Sequence, residues 1–235
     1  MPLRYLVVNA KNYSEASGDS VLSLASDALS VEQEYSGRVK VFLALPAFSM
    51  QLVSKNLSGL DLLAQHLDDS VVGSTTGFLV PEIAKMCGCK GSLINHSEHR
   101  IPEDQITKIV AKLKSLDMLS VVCSRDDLEV GRHVLSDPDF IAIEPPELIG
   151  SGVAVSRARP EVISDSVKSL DKSRRPDSRT RLLCGAGIVD ETDAKKAVEL
   201  GSEGVLVASG VIKAKDWRAK MAELAGGLSD ARGTR

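Results

Sequence analysis

The chain of 235 residues is poor in aromatic side chains, which make up 3% of its composition. Its core must therefore be aliphatic, as is typical of parallel β-sheets. No apolar segment approaches the roughly 20 residues that a membrane-spanning helix needs. The net charge is −3 and no extended run of lysine and arginine is present, so the sequence gives no electrostatic support for nucleic-acid binding.

Cysteine is also scarce, with four residues in the whole chain. Cys87 and Cys89 are separated by one glycine, which is too close for a relaxed disulfide, and no second Cys or His pair has zinc-finger spacing. We expect Cys87, Cys89, Cys123 and Cys184 to be reduced, mostly buried thiols in a cytoplasmic protein. The first residues lead directly into a strand-like run, so no signal peptide is predicted.

Strand-like apolar runs and segments of helical periodicity alternate along the whole chain. The first strand covers about residues 3 to 8 and the first helix about 18 to 35, and eight such units follow one another without a linker. This pattern predicts a single, compact (β/α)8 TIM barrel over residues 1–228, with a polar, frayed tail at 229–235. An open doubly wound sheet is the alternative, although it would normally stop at five to seven strands, and no GxGxxG follows the first strand.

Polar residues follow several of the predicted strands, whose C-terminal ends form the active face of such a barrel. The first strand leads to Asn9 and Lys11, the third to Gln65, the fourth to His96 and the sixth to Glu144. A carboxylate, an imidazole and an ammonium group without metal ligands suit proton transfer next to a carbonyl. A single histidine is more often part of a capped loop, and a single Glu or Lys is more often a surface group. Their convergence at one barrel face favours catalysis.

Small residues follow the seventh and eighth strands, at Gly185-Ala186-Gly187 and Ala208-Ser209-Gly210. They let backbone N–H groups approach an anion, and the loops at these two positions form the usual phosphate site of such barrels. Gly150-Ser151-Gly152 is a further candidate donor loop. One glycine is a weak signal because turns need glycine anyway. Three such loops together predict phosphate binding.

In combination these motifs resemble the triosephosphate isomerase family, in its short archaeal-type form, over essentially the whole chain. The resemblance rests mainly on Asn9-Ala10-Lys11, on Asn95-His96-Ser97-Glu98-His99-Arg100 and on Glu144-Pro145-Pro146-Glu147-Leu148-Ile149-Gly150. It implies the interconversion of dihydroxyacetone phosphate and D-glyceraldehyde 3-phosphate through an enediolate, in glycolysis and gluconeogenesis. It implies no metal and no organic cofactor.

The resemblance also implies roles for individual residues. Glu144 is the base, His96 is a neutral electrophile, and Lys11 stabilises the enediolate and the phosphate. Glu98 pairs with Lys11 or with a nearby backbone group, and the segment starting at Pro145 is the hinge of a lid. The implied substrate contacts are Asn9, Ala10, Lys11, Ile149, Gly150, Gly187, Ala208 and Ser209, and the supporting or dimer-loop residues are Glu98, Gln65 and Thr76.

The long loop at residues 66–77 resembles the interdigitating loop of the family's dimer, in which Thr76 would reach Asn9 and Lys11 of the other copy. Tetramers of archaeal relatives form through apolar residues near the fourth and fifth helices. Residues 125–133 are highly charged here, and burial of unpaired charges is costly. We therefore expect a homodimer, with a tetramer as the alternative. The sequence departs from the family at Ala10, where many members have an aromatic residue, and at His99, where arginine is commoner.

Two other functions stay open at this point. A lyase or a different sugar-phosphate isomerase would be favoured by a Schiff-base lysine on the sixth strand, where the chain has Glu144 instead. A catalytically silent phosphate-binding protein would be favoured by the loss of Lys11, His96 or Glu144, and all three are present.

Overall fold

The computed structural model describes residues 2–145 and 159–231. Within these ranges, eight parallel strands close into a barrel in sequence order, and the first strand pairs with the last. The predicted single (β/α)8 barrel is confirmed, and the open doubly wound sheet is excluded. The strands are β1 (Arg4–Asn9), β2 (Val39–Leu45), β3 (Asp61–Ala64), β4 (Cys89–Ile94), β5 (Leu119–Ser124), β6 (Phe140–Ile143), β7 (Arg181–Cys184) and β8 (Gly204–Val207).

Helices connect the strands and surround the barrel. The last helix covers Trp217–Asp230, and Ala225 and Leu228 extend its buried face towards its C-terminal end. Short 3-10 turns cover Ser14–Ala16 and Val134–Ser136. The helices of the described residues are α1 (Ser20–Glu34), α2 (Ala47–Asn56), α3 (Pro81–Met86), α4 (Glu103–Ser115), α5 (Asp127–His133), α6 (Pro160–Ser173), α7 (Glu191–Glu199), α8 (Ser209–Ile212) and α9 (Trp217–Asp230).

Three helices begin at an aspartate that caps their first turn. The side chains of Asp126, Asp190 and Asp216 each accept a hydrogen bond from the backbone N–H three residues later. Such caps satisfy N–H groups that have no partner inside the helix. They fix where α5, α7 and α9 begin, and therefore where the preceding loops at the barrel ends stop.

The strands build two apolar layers, because successive side chains point to opposite faces. In β1, Tyr5 and Val7 lie inside the barrel, whereas Leu6 and Val8 pack in the outer layer between strands and helices. The outer layer is aliphatic, as predicted. It joins the barrel to its helices in two clusters, a large one around most of the barrel and a smaller one where β6 and β7 meet α5 and α6.

The barrel interior departs from the prediction of an aliphatic core. The rings of Tyr5 and Phe140 meet edge to face with centroids 4.8 Å apart, and Phe42 lies 5.9 Å from Phe140. The guanidinium group of Arg181 covers Tyr5 at 5.3 Å from the ring centroid. Three of the chain's few aromatic side chains thus fill the barrel towards the N-terminal ends of its strands, away from the predicted site.

The four cysteines are free thiols, and Cys89, Cys123 and Cys184 are buried, in agreement with the prediction. Burial raises the pKa of Cys89 to about 11 and that of Cys184 to about 12, so both thiols stay protonated at neutral pH. Among the helices of the described residues, none combines the length and the apolar character needed to cross a membrane.

Two adjacent glycines in α9 face different surroundings. A Cβ atom on Gly227 would collide with the backbone of Glu191 in α7, whereas a Cβ atom on Gly226 would meet nothing closer than the Tyr35 hydroxyl at 3.5 Å. We predict that Gly227→Ala lowers the free energy of unfolding by about 1–3 kcal/mol, because α7 and α9 must separate. The matched change Gly226→Ala should raise it by about 0.5–1 kcal/mol, because it removes a glycine from a helix interior. Urea denaturation measures both values, and equal effects would contradict the close packing of α7 on α9.

Candidate active site

A cavity of about 490 Å³ opens at the C-terminal ends of the strands. One wall carries the functional groups of Lys11, His96 and Glu144, which follow β1, β4 and β6. A second wall, which lies between β6 and β1, carries the small residues that follow β7 and β8. The structure therefore brings the three predicted catalytic side chains and two of the three predicted phosphate loops, those after β7 and β8, to the same cavity.

Glu144 enters this cavity because it continues the inward phase of β6, in which Phe140 and Ala142 face the barrel interior. It is 2% exposed, and its Oε1 lies 3.5 Å from Nε2 of His96. Its Oε2 is buried from solvent and makes no hydrogen bond among the described residues. The thiol of Cys123 lies beside the carboxylate, and burial, reinforced by the charge of Glu144, raises the pKa of that thiol well above its usual value.

The turn after β4 orients His96. The backbone N–H of Glu98 donates to Nδ1 of His96 at 3.2 Å. Because Nδ1 accepts this bond it carries no proton, and we assign the imidazole as neutral with its proton on Nε2. The Glu98 carboxylate lies 3.7 Å from Nδ1, which is beyond hydrogen-bond distance. His96 can therefore donate from Nε2 towards an oxygen atom in the cavity.

Lys11 adopts a left-handed backbone conformation with φ 45°, which residues other than glycine rarely do. Its N–H donates to Oδ1 of Asn9 at 2.9 Å, and its carbonyl accepts from Nε2 of Gln65 at 2.8 Å. Two neighbouring side chains thus hold this strained backbone in place. The Lys11 ammonium pairs with the Glu98 carboxylate at 2.7 Å across the cavity mouth.

The wall formed by β7 and β8 needs its small residues. A Cβ atom on Gly185 would lie 2.5 Å from Cγ of Glu144, so glycine makes room for the carboxylate. Gly187 has φ 69°, which glycine adopts without strain. Ala208 precedes α8, and Ser209 begins it, so the first N–H groups of this short helix open at the same wall. This surface suits an anion with several oxygen atoms.

Sequence reasoning missed three residues of this region. Tyr13 and Lys213 line the cavity, and the Lys213 ammonium lies 5.0 Å over the Tyr13 ring, which adds positive charge near the small-residue wall. No pattern in the sequence distinguished Lys213 from other surface lysines. Asn95 is buried, has φ 61° and binds β5 through its side chain. The signal for Asn95 was its place at a strand end, since asparagine tolerates left-handed backbone.

Several predicted residues lie elsewhere. The methyl group of Ala10 packs in the outer apolar layer, so the contact of Ala10 with the substrate, which stays a prediction, would be made by its backbone. Thr76 is exposed on its loop and lines no wall of the cavity in its own chain. His99 stacks on His66 with ring centroids 4.3 Å apart. The predicted substrate contacts Ile149 and Gly150 lie outside the described residues.

A second cavity, of about 420 Å³, lies at the opposite end of the barrel, near the starts of β5, β6 and β7. Its charges have both signs, and several of them pair with each other or with neighbours: Lys114 contacts Asp137, and Arg181 lies 3.5 Å from Glu203. This cavity combines no imidazole with a buried carboxylate, unlike the cavity at the C-terminal ends.

Known proteins resemble this chain over nearly its full length. The family model for triosephosphate isomerase matches residues 4–225. The triosephosphate isomerase of Cenarchaeum symbiosum is 48% identical over 224 residues, which cover 95% of this chain and 97% of that protein. The triosephosphate isomerase of Methanothermus fervidus is 46% identical over 219 residues, which cover 93% of this chain and 96% of that protein.

The solved structure of triosephosphate isomerase from Bartonella henselae shares the fold, with a TM-score of 0.73 over 93% of this chain and 97% of that chain at 20% identity. The residues that the family model matches include both walls of the cavity. The chain belongs to the triosephosphate isomerase family, whose members interconvert dihydroxyacetone phosphate and D-glyceraldehyde 3-phosphate.

Proposed function

We propose that Glu144 is the base of this isomerisation. The observation that carries the proposal is its buried carboxylate, with one oxygen 3.5 Å from His96 Nε2 and the other without a partner among the described residues. The reaction takes a proton from one carbon of the triose phosphate and returns it to the neighbouring carbon. One carboxylate that faces both carbons can perform both transfers.

His96 and Lys11 stabilise the charge that forms on oxygen when Glu144 takes the proton. The Nε2–H group of neutral His96 donates to the carbonyl oxygen, which becomes an enediolate oxygen. The ammonium of Lys11 adds positive charge on the same side of the cavity. In the structure it is shared with Glu98, whose side chain is 58% exposed, so an incoming anion can compete for it at little cost.

In this proposal the phosphate group of the substrate binds at the wall of small residues that follow β7 and β8. Gly187, Ala208 and Ser209 supply backbone N–H groups there, and the nearby ammonium of Lys213 favours a dianion. Ile149 and Gly150 remain proposed contacts of the same group. They would belong to a lid starting at Pro145 whose closure keeps water from the enediolate.

Replacement of the base gives the most direct test. We predict that Glu144→Gln lowers kcat by about 10²–10⁴-fold, because the amide cannot accept the proton. Glu144→Asp keeps the carboxylate but withdraws it by one methylene, so its loss should be smaller. A coupled assay with glyceraldehyde 3-phosphate measures both. A Gln variant with full turnover would remove Glu144 from the mechanism.

We also propose that the enzyme is a homodimer. The loop between β3 and α3 exposes Val71, Val72 and Phe78 to solvent by 60, 59 and 56%, and Phe48 on α2 is fully exposed. A groove of about 380 Å³ lies beside Phe48 and reaches Lys11. The apolar loop of one copy would cover this groove in the other and bring Thr76 close to the partner's Lys11. Large exposed apolar surfaces of this kind mark interaction sites.

A tetramer that forms through an interface at α5 is less favoured than the dimer. The guanidinium group of Arg125 pairs there with Glu129 at 2.9 Å and lies 3.5 Å from Asp126. These charged groups therefore already have partners within the same chain. Burial of such pairs in an interface would cost their hydration. Leu128 is the exposed apolar residue of this helix, at 67% exposure.

Two matched charge insertions test the assembly. Phe78→Asp should weaken the dimer by about 10²-fold or more, because the interface would bury an unpaired charge, and it should lower kcat in parallel with the loss of dimer. The control Leu128→Asp should change neither mass nor kcat. Light scattering over a concentration series measures the mass. A stable tetramer at micromolar protein, or a Phe78→Asp dimer as tight as the wild type, would contradict the proposal.

The wider setting follows from family membership. We propose a cytoplasmic enzyme of glycolysis and gluconeogenesis, in the short archaeal-type form. The short form is supported by the triosephosphate isomerases of Cenarchaeum symbiosum, Methanothermus fervidus and Archaeoglobus fulgidus, because the alignments with this chain cover 96–97% of their lengths. A single catalytic domain over residues 1–228 remains the proposed organisation, with residues 229–235 as tail, although α9 itself ends at Asp230.

A further inference from the structure

The regular alternation of β4 would send His96 away from the cavity. Leu93 lies inside the barrel and Ile94 lies in the outer layer, so a continued strand would place residue 96 on the same side as Ile94. His96 instead faces Glu144. The change of side occurs at Asn95, whose φ is 61°. This left-handed residue turns the imidazole into the cavity.

Asn95 is 4% exposed, and both polar atoms of its side chain make hydrogen bonds. Its Nδ2 donates to the carbonyl of Cys123 on β5 at 3.1 Å, and its Oδ1 accepts from the backbone N–H of Ile101 at 3.1 Å. The second bond closes the turn that carries His96 and the Glu98 N–H group, which orients the imidazole. One amide therefore anchors the turn at both of its ends.

The anchor on β5 is shared with the base. Cys123 holds Asn95, and the carbonyl of the next residue, Ser124, accepts the backbone N–H of Glu144 at 2.7 Å. Since β5 lies between β4 and β6 in the barrel, its last two residues set where both catalytic groups stand. Arg100 also binds the end of β5: its Nη1 donates to the Cys123 carbonyl at 3.5 Å and to the Glu129 carboxylate at 3.2 Å.

We propose that Asn95 is a positioning residue that aims His96 at the substrate oxygen and fixes its separation from Glu144. Asparagine suits the place because it tolerates positive φ and carries a donor and an acceptor in one side chain. Glycine would keep the backbone conformation without either bond, and aspartate would keep the acceptor without the donor. The inference rests on the proposed roles of His96 and Glu144.

The test is Asn95→Gly, which preserves the backbone conformation and removes both hydrogen bonds. We expect kcat to fall by about 10–100-fold, because small displacements of a catalytic group are costly. The dissociation constant of inorganic phosphate should stay within about twofold of the wild-type value. The proposed phosphate site follows β7 and β8, and β8 lies across the barrel from β4, which carries Asn95. In ¹⁵N spectra the imidazole of His96 should change from one tautomer, protonated on Nε2, to a mixture. Asn95→Asp should show a similar loss of kcat, because its carboxylate faces the Cys123 carbonyl.

Two further variants separate the explanations. Asp117→Gly is the matched control: Asp117 also has positive φ, at 54°, but lies at the opposite end of the barrel, and its kcat should equal that of the wild type. His96→Gln tests the proposed function itself, which fails if this variant keeps full turnover. If His96→Gln is impaired, then the inference about Asn95 is overturned by an Asn95→Gly enzyme with kcat within about threefold of the wild type. It is also overturned by a parallel loss of kcat and phosphate affinity, which would show a general distortion.

Discussion

Side chains in a closed parallel barrel alternate between the interior and the outer layer, and this constraint selects the residues that meet above its C-terminal end. In β1 the inward phase passes from Tyr5 and Val7 to Asn9, and in β6 it passes through Ala142 to Glu144. Because every strand pairs with two neighbours, no single strand can slip by one residue without turning its apolar side chains into the wrong layer. The packing of the barrel therefore also places the carboxylate that we propose as the base.

Burial separates the two carboxylates of the site into different tasks. Glu144 is 2% exposed and depends on Gly185 for its room and on β5 for its backbone. The Glu98 side chain is 58% exposed and holds Lys11 through a contact that water weakens. The first arrangement keeps a base in one geometry. The second leaves an ammonium group that can be drawn to an incoming anion without breaking anything in the core.

The sequence predicted the fold and much of the site because both follow from periodic patterns. Eight repeats of strand and helix determine the barrel, and the phase of β6 points Glu144 inward. The position of His96 does not follow from alternation, since Asn95 reverses it through one backbone angle. Ala10, by contrast, continues the alternation of β1, and its side chain faces the outer layer.

Other features were beyond prediction because they depend on contacts between segments distant in the sequence. The need for glycine at position 185 arises from Glu144, which lies 41 residues earlier in the chain. The aromatic group inside the barrel joins residues of β1, β2 and β6, which no local pattern connects. The oxygen of Glu144 that lacks a partner is likewise visible only when its surroundings are known.

The buried thiols have a consequence for how barrel opening can be followed. Cys123 lies on the inner face of β5 beside the Glu144 carboxylate, and Cys184 lies on the outer face of β7. A closed barrel has no free strand edge, so a thiol reagent can reach Cys123 only after neighbouring strands part, whereas Cys184 is reached when the helices that cover β7 move away. Cys87, which is half-buried outside the barrel, reacts without either event. The difference between the labelling rates of Cys87 and Cys123 therefore measures how often the strands around the barrel interior separate.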